Sequence, residues 1–292
     1  MHLLVTGANG LLGSNIVSYG LESGHEVTAT YHRTKPELEC ECLQLDVTED
    51  NSIEEILDSK NPDVVFNCAA MTDVDGCETL PEKAHAANAA APKKISLETK
   101  QRDISFVHFS TDYVFEGMAS TPYKPEAQTD PLQVYGETKL AGELAVLKNN
   151  ESAIVARLSF VYGRHGATSD VEGFPAWISR QLENGEETPL FTDQHVTPTR
   201  AGQAAHSVFE LIEAGASGLV HIASRSCVTP FYFGTLIAEV QGRAPNIFTE
   251  ESMNELNRPA ARPRYSCLDV SDLEATLGRK QPTLDEDLRE IF

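Results

Sequence analysis

The chain opens on residues 2–6, which read as a strand, and runs straight into TGANGLLG and then into an amphipathic segment. Gly7, Gly10 and Gly13 carry the spacing GxxGxxG, about 20 residues ahead of a second strand-like run. Glycines at a strand-to-helix turn let the backbone approach a pyrophosphate, whose charge then rests on the unsatisfied amides at the helix start. This junction constrains the fold more than any other feature. A turn of this kind belongs at the carboxyl edge of a parallel sheet, where a dinucleotide lies.

The rest of the first half keeps the same rhythm. Strand-length apolar runs fall at 2–6, 26–31, 43–46, 64–68, 104–109 and 153–158, and helix-length segments at 11–23, 52–59, 81–99 and 132–148. Alternation of this kind predicts an α/β fold, a doubly wound parallel sheet of the Rossmann type with helices on both faces. Residues 1–160 are expected to form the dinucleotide-binding domain. Residues 161–292 read as mainly a smaller α/β substrate-binding portion, with room for elements that return to the core. Helices are expected there at 174–184, 200–214, 231–241 and 270–277, with short strands at 188–191 and 219–223.

Composition excludes several function classes. The chain has 44 acidic and 23 basic residues, a formal charge of −21, and the acids are spread along its whole length. Such a surface repels nucleic acid and anionic membranes. Its self-repulsion is relieved by salt, so a halophilic-like, high-salt setting is expected. No apolar run approaches the roughly 20 residues a membrane span needs, and no basic, apolar leader precedes the first strand, so a cytoplasmic protein is expected. The six cysteines show no CxxC pair and no His-plus-Cys cluster at zinc spacing. They read as reduced thiols, and no metal is expected.

The chemistry is carried by VYGETKLAGE. Tyr135 and Lys139 stand at the start of a helix, and i, i+4 spacing puts both side chains on one face. An ammonium near a phenol favours phenolate and makes tyrosine a better acid, so Tyr135 can protonate an alkoxide as it forms. Lys139 can also hydrogen-bond a nicotinamide ribose. Tyr31 and Lys35 have the same spacing, but they lie at a strand end just before Pro36, where no helix aligns them. Upstream, STDYVF ends the fifth strand, and the hydroxyls of Ser110 and Thr111 are placed to hold a substrate carbonyl oxygen. At the end of the second strand His32, Arg33 and Lys35 stand where an acid would bind the ribose of NAD, and Arg33 suits a 2′-phosphate. Asp46 and Val47, ending the third strand, are where an adenine ring would rest.

These segments, with NCAAMTDVDGCE, RLSFVYG, DQHVTPTR and RPRYSCLD, resemble the extended short-chain dehydrogenase/reductase family in order over nearly the whole chain. The resemblance implies a catalytic triad of Thr111, Tyr135 and Lys139. It implies cofactor contacts at Gly7, Asn9, Gly10, Leu11, Leu12, Gly13, Asp46, Val47, Ala69, Ala70 and Lys139. A nucleotide-sugar substrate would lie near Thr72, Val74, Tyr113, Phe160 and Arg262, the arginine meeting its diphosphate. The reaction implied is reduction of the C4 ketone of a nucleotide-activated deoxysugar, dTDP-4-dehydrorhamnose to dTDP-L-rhamnose, by NADPH, with NADH as the alternative. Phe160 stands where this family often carries tryptophan. Asn15 stands where some members carry a glutamate linked to a magnesium-bridged dimer, so a monomer or a homodimer without metal is expected. The segment 163–173, GRHGATSDVEG, reads as a flexible lid or a surface loop. Two alternatives stay open: another sugar-nucleotide reductase or epimerase, and a non-catalytic cofactor-binding subunit, since the regulatory β subunit of methionine adenosyltransferase resembles the same family.

Overall fold

The computed structural model describes residues 1–253 and 258–292. Its centre is a seven-stranded parallel sheet. The strands are β1 (His2–Thr6), β2 (Glu26–Tyr31), β3 (Glu41–Gln44), β4 (Val64–Asn67), β5 (Ser105–Thr111) and β6 (Ile154–Leu158), joined by β11 (Gly218–His221) from the second half. Their spatial order is β11-β6-β5-β4-β1-β2-β3. Chain order reverses between β1 and β4, so the crevice of the sheet opens there, beside the glycine loop.

Side chains alternate across each strand, which is how a short apolar run feeds two cores. Leu3 and Val5 face one core with Phe66, Phe109 and Leu158, packed under α1 (Leu11–Glu22) and α8 (Ala201–Glu213). Leu4 faces the other with Val65, Phe106 and Val155, under α2 (Ser52–Lys60), α5 (Ala91–Gln101) and α6 (Val134–Asn149). A third core, of Tyr162, Ile178, Leu190, Phe233 and Leu288, holds the second half together. It gathers α7 (Phe174–Asn184), α9 (Pro230–Val240), α11 (Leu284–Arg289) and the parallel pair of β9 (Thr188–Phe191) with β12 (Phe248–Glu251). The remaining elements are short: α3 (Val74–Thr79), α4 (Pro81–His85), β7 (Val161–Arg164), β8 (Val171–Glu172), β10 (Thr199–Arg200) and α10 (Ser271–Leu277).

Two expectations are corrected and one is refined. The third strand ends at Gln44, not Asp46, because β3 pairs with β2 from Thr28↔Glu41 to Tyr31↔Gln44 and β2 has no further residue to offer. Asp46 and Val47 lie just beyond it. The helix expected at 81–99 runs from Pro81 to Gln101 and carries a π-turn at Ala86–Ala90. There Asn88 turns its side chain to the Met71 amide at 2.8 Å and the Met71 carbonyl at 3.0 Å, which holds the loop after β4. Finally, Cys227 and Cys267 are joined as a disulfide. The two lie 40 residues apart in sequence and 5.6 Å apart at Cα, so the fold and not any spacing motif brings them together. Cys40, Cys42, Cys68 and Cys77 are free thiols.

Candidate active site

The glycine loop is backbone laid against backbone. Gly7 takes φ +65°, and a Cβ there would sit 2.8 Å from the Ala69 amide nitrogen. A Cβ on Gly13 would meet the Gly7 carbonyl oxygen at 2.5 Å. Only glycine fits at either place, and among the described residues the first turn of α1 has no side-chain cap on its amides. The Gly10 amide donates to Gly7 at 3.0 Å, and the Thr6 hydroxyl accepts from the Ala69 amide at 3.3 Å. Ala69 and Ala70 therefore stand directly beside the loop. This is a cradle that a pyrophosphate fits and that a methyl group would fill.

At the outer end of the crevice, Asp46 accepts from the Thr48 hydroxyl at 2.6 Å and the Thr48 amide at 2.9 Å, and His32 approaches it to 3.2 Å. The Thr48 bonds hold its carboxyl below the usual range. Val47 is buried beside it, and Arg33 is exposed.

On the opposite wall, β5 and α6 bring Thr111, Tyr135 and Lys139 together. The Tyr135 phenol pairs with the Thr111 hydroxyl, and the Tyr113 ring meets Tyr135 edge-on at 6.0 Å. Lys139 is buried, and its ammonium donates to the Phe109 carbonyl of β5 at 2.5 Å. Burial pulls its pKa down to about 8, opposed by Glu143 one turn further along the same face. Cys68, the neighbour of Ala69, also lies within the field of Lys139, which ties this wall to the glycine loop. The electrostatic expectation for Tyr135 is corrected: burial of the phenol holds its pKa above the ordinary value, and the group that pulls against burial is the Thr111 hydroxyl rather than the Lys139 ammonium.

Behind this group lies a polar network that the sequence reading did not single out. Asp112 is buried and accepts from the hydroxyls of Thr111 at 3.1 Å, Ser159 at 2.8 Å and Ser266 at 2.5 Å. Burial raises its pKa to about 6, and the hydroxyl bonds limit the rise. Three distant segments thus meet at one carboxylate that also fixes the Thr111 side chain. Its place directly after Thr111 was the available signal. A second buried acid, Glu143, holds Arg157 of β6 through bonds of 2.9 and 2.7 Å, locking α6 onto the sheet one turn beyond Lys139.

The residues expected to meet substrate divide in two. Arg262 reaches Tyr113, and its guanidinium forks onto Asp75 of α3 at 2.9 and 3.0 Å, beside Val74 and the exposed Thr72. With Arg258 and Arg264 it lines a cavity of about 240 Å³, a concentration of cations on an acidic chain. Phe160 is placed elsewhere. It follows Ser159 at φ +46°, an uncommon backbone region for an aromatic residue, and lines an apolar cavity of about 320 Å³ with Phe174 and Trp177. Asn15 donates to the Leu11 and Arg164 carbonyls. Among the described residues, no group of three His, Cys, Asp or Glu side chains is placed to hold a metal ion.

Comparison with known proteins shows the family and the fold. The family described as the RmlD substrate binding domain matches residues 1–292. The chain is 49% identical over 288 residues to a probable low-salt glycan biosynthesis reductase of Haloferax volcanii, covering 99% of this chain and 96% of that one. It is 33% identical over 268 residues to a dTDP-4-dehydrorhamnose reductase of Mycolicibacterium smegmatis, covering 91% and 77%. Among solved structures, a dTDP-4-dehydrorhamnose reductase of Clostridium acetobutylicum superposes with a TM-score of 0.88 at 30% identity, over 100% of this chain and 98% of that one. One from Bacillus anthracis, in complex with NADP, gives 0.89 at 25% identity, with the same coverage.

Proposed function

The chain belongs to the RmlD family, and from that premise we propose that it is a sugar-nucleotide reductase that uses NADPH to reduce the C4 ketone of dTDP-4-dehydrorhamnose to dTDP-L-rhamnose. The observation that carries the reading is the meeting of Thr111, Tyr135 and Lys139 beside the cradle formed by Gly7, Gly13 and Ala69. A reduced nicotinamide dinucleotide bound there supplies the hydride. Gly7, Asn9, Gly10, Leu11, Leu12 and Gly13 would take its pyrophosphate, Ala69 and Ala70 its middle, and Asp46 and Val47 its adenosine.

The chain's own residues do the rest. Tyr135 gives its phenolic proton to the C4 oxygen as negative charge develops on it, and the proton is not returned in the same step. Lys139, buried one turn away, supplies positive charge near the phenolate left behind, and the Phe109 carbonyl fixes its ammonium. Thr111, steadied by Asp112, aligns the tyrosine and the ketone. Arg262, Arg258 and Arg264 attract the nucleotide diphosphate, with Asp75 holding Arg262 in place. Binding energy won at that remote end orients the ketone for transfer.

Purified protein supplied with NADPH and dTDP-4-dehydrorhamnose should oxidise the cofactor with equal formation of dTDP-L-rhamnose, and Tyr135→Phe should lower turnover by about 10³-fold while cofactor binding stays within a few-fold. Product analysis and single-turnover kinetics measure both. Equal turnover in the variant removes the proton-donor role, and no reduction of any keto-sugar nucleotide removes the enzyme.

A further inference from the structure

Residues 163–172 form a hairpin: β7 and β8 pair antiparallel, Gly163 opposite Glu172 and Arg164 opposite Val171. The tip is internally tied. The His165 amide donates to the Asp170 carbonyl and the Ser169 amide to the His165 carbonyl, each at 2.8 Å, while the Arg164 guanidinium reaches the Ser169 carbonyl, also at 2.8 Å.

This tip lands on the glycine loop and on the first turn of α1. The Asn15 side chain donates to the Arg164 carbonyl at 2.9 Å, and the Gly166 amide donates to the Ser14 hydroxyl at 3.0 Å. The approach is so close that a Cβ on Gly166 would lie 2.2 Å from the Ser14 carbonyl oxygen. His165 is buried beneath the tip, with one ring nitrogen 3.3 Å from the Asn9 carbonyl oxygen. Its tautomer follows from its other partner. The Ala167 amide points at Nδ1 from 3.2 Å, so Nδ1 accepts and the proton sits on Nε2, which donates to Asn9.

We propose that this hairpin tip is a strap that preorders the glycine loop for the dinucleotide, with His165 as its positioning residue. The proposal rests on the cofactor reading above. Both ends of the peptide between Asn9 and Gly10 are pinned, the carbonyl by His165 and the amide by the Gly7 carbonyl at 3.0 Å. A loop with glycines at positions 7, 10 and 13 has many conformations to lose when it receives a ligand. Fixing it in advance removes that loss from binding and leaves the hydride and proton steps untouched.

The test is titration of the full-length protein with NADPH, followed by cofactor fluorescence, beside hydrogen exchange at the amides of residues 9–13. His165→Ala should weaken the Kd about tenfold and speed exchange of the loop, with kcat at saturating cofactor within about twofold. His165→Gln, which keeps a donor at similar reach, should recover most of the affinity. Gly166→Ala should act in the same direction as His165→Ala by lifting the tip off Ser14. A Kd within twofold of wild type in both alanine variants, with loop exchange unchanged, overturns the strap. If wild type binds neither NADPH nor NADH, the cofactor reading falls; the strap then stands or falls on loop exchange in His165→Ala.

Discussion

From Thr6 to Gly13 the crevice wall is made of main chain, shaped by positions where no side chain fits. The facing wall is made of side chains: Asp112 gathers hydroxyls from residues 47 and 154 positions away, and Arg262 forks onto an aspartate 187 positions away. The first wall is set by local geometry and leaves no room for a methyl at Gly7 or Gly13. The second depends on a few polar pairs, each of which can be removed singly, and it is where a family can vary its substrate without rebuilding the sheet.

Gly13→Ala should break the comparison at its strongest point. The added methyl displaces the Gly7 carbonyl, and a shift of that size in a loop that positions a ligand costs about 10²-fold in NADPH affinity. Calorimetric titration measures it, and affinity within threefold of wild type would show that the main-chain wall can relax.

Asp112→Asn addresses the side-chain wall. Burial lifts the Asp112 pKa from 3.8 to about 6, so the folded protein holds this proton more tightly than the unfolded chain. Stability therefore falls as pH rises between those two values, by on the order of 3 kcal/mol, and is level on either side as far as this group is concerned. The amide variant should lose that slope, leaving the other carboxylates to set the profile. Urea unfolding from pH 3.5 to 7.5 in both proteins reads the difference, and matching slopes would mean the network does not hold the proton.

The smallest effect is expected at the outer end. Arg33 is exposed beyond β2, so Arg33→Ala should lower the preference for NADPH over NADH, as a ratio of kcat/KM, by only about threefold to tenfold. An unchanged ratio would assign Arg33 to the solvated surface.

The same contrast explains what could be read from the sequence. The glycine loop, β1, β2 and the start of α6 were legible because each is set by local spacing or by alternation within a few residues. The end of β3 was not, since Gln44 is its last paired residue only because β2 stops at Tyr31. The helix Val74–Thr79 was not read because six residues are too few to show a period, although Asp73 caps it by accepting from the Gly76 amide at 3.0 Å. Thr111, Tyr135 and Lys139 were visible as types in a pattern. Their support was not, because Ser159 and Ser266 meet at Asp112 only once the chain has folded.

The bond from Ser266 to Asp112 also bears on the order in which a nascent chain becomes competent. The closest contacts of Gly7 and Gly13 are all with residues up to Ala69, whereas the carboxylate behind Thr111 waits for a serine 154 residues downstream. Contacts of that separation form late, because a long loop must close before they are rewarded. A partly made chain can therefore shape its dinucleotide pocket well before its proton-transfer group is braced. The catalytic wall is finished only once Ser266 has been made, after every strand of the central sheet.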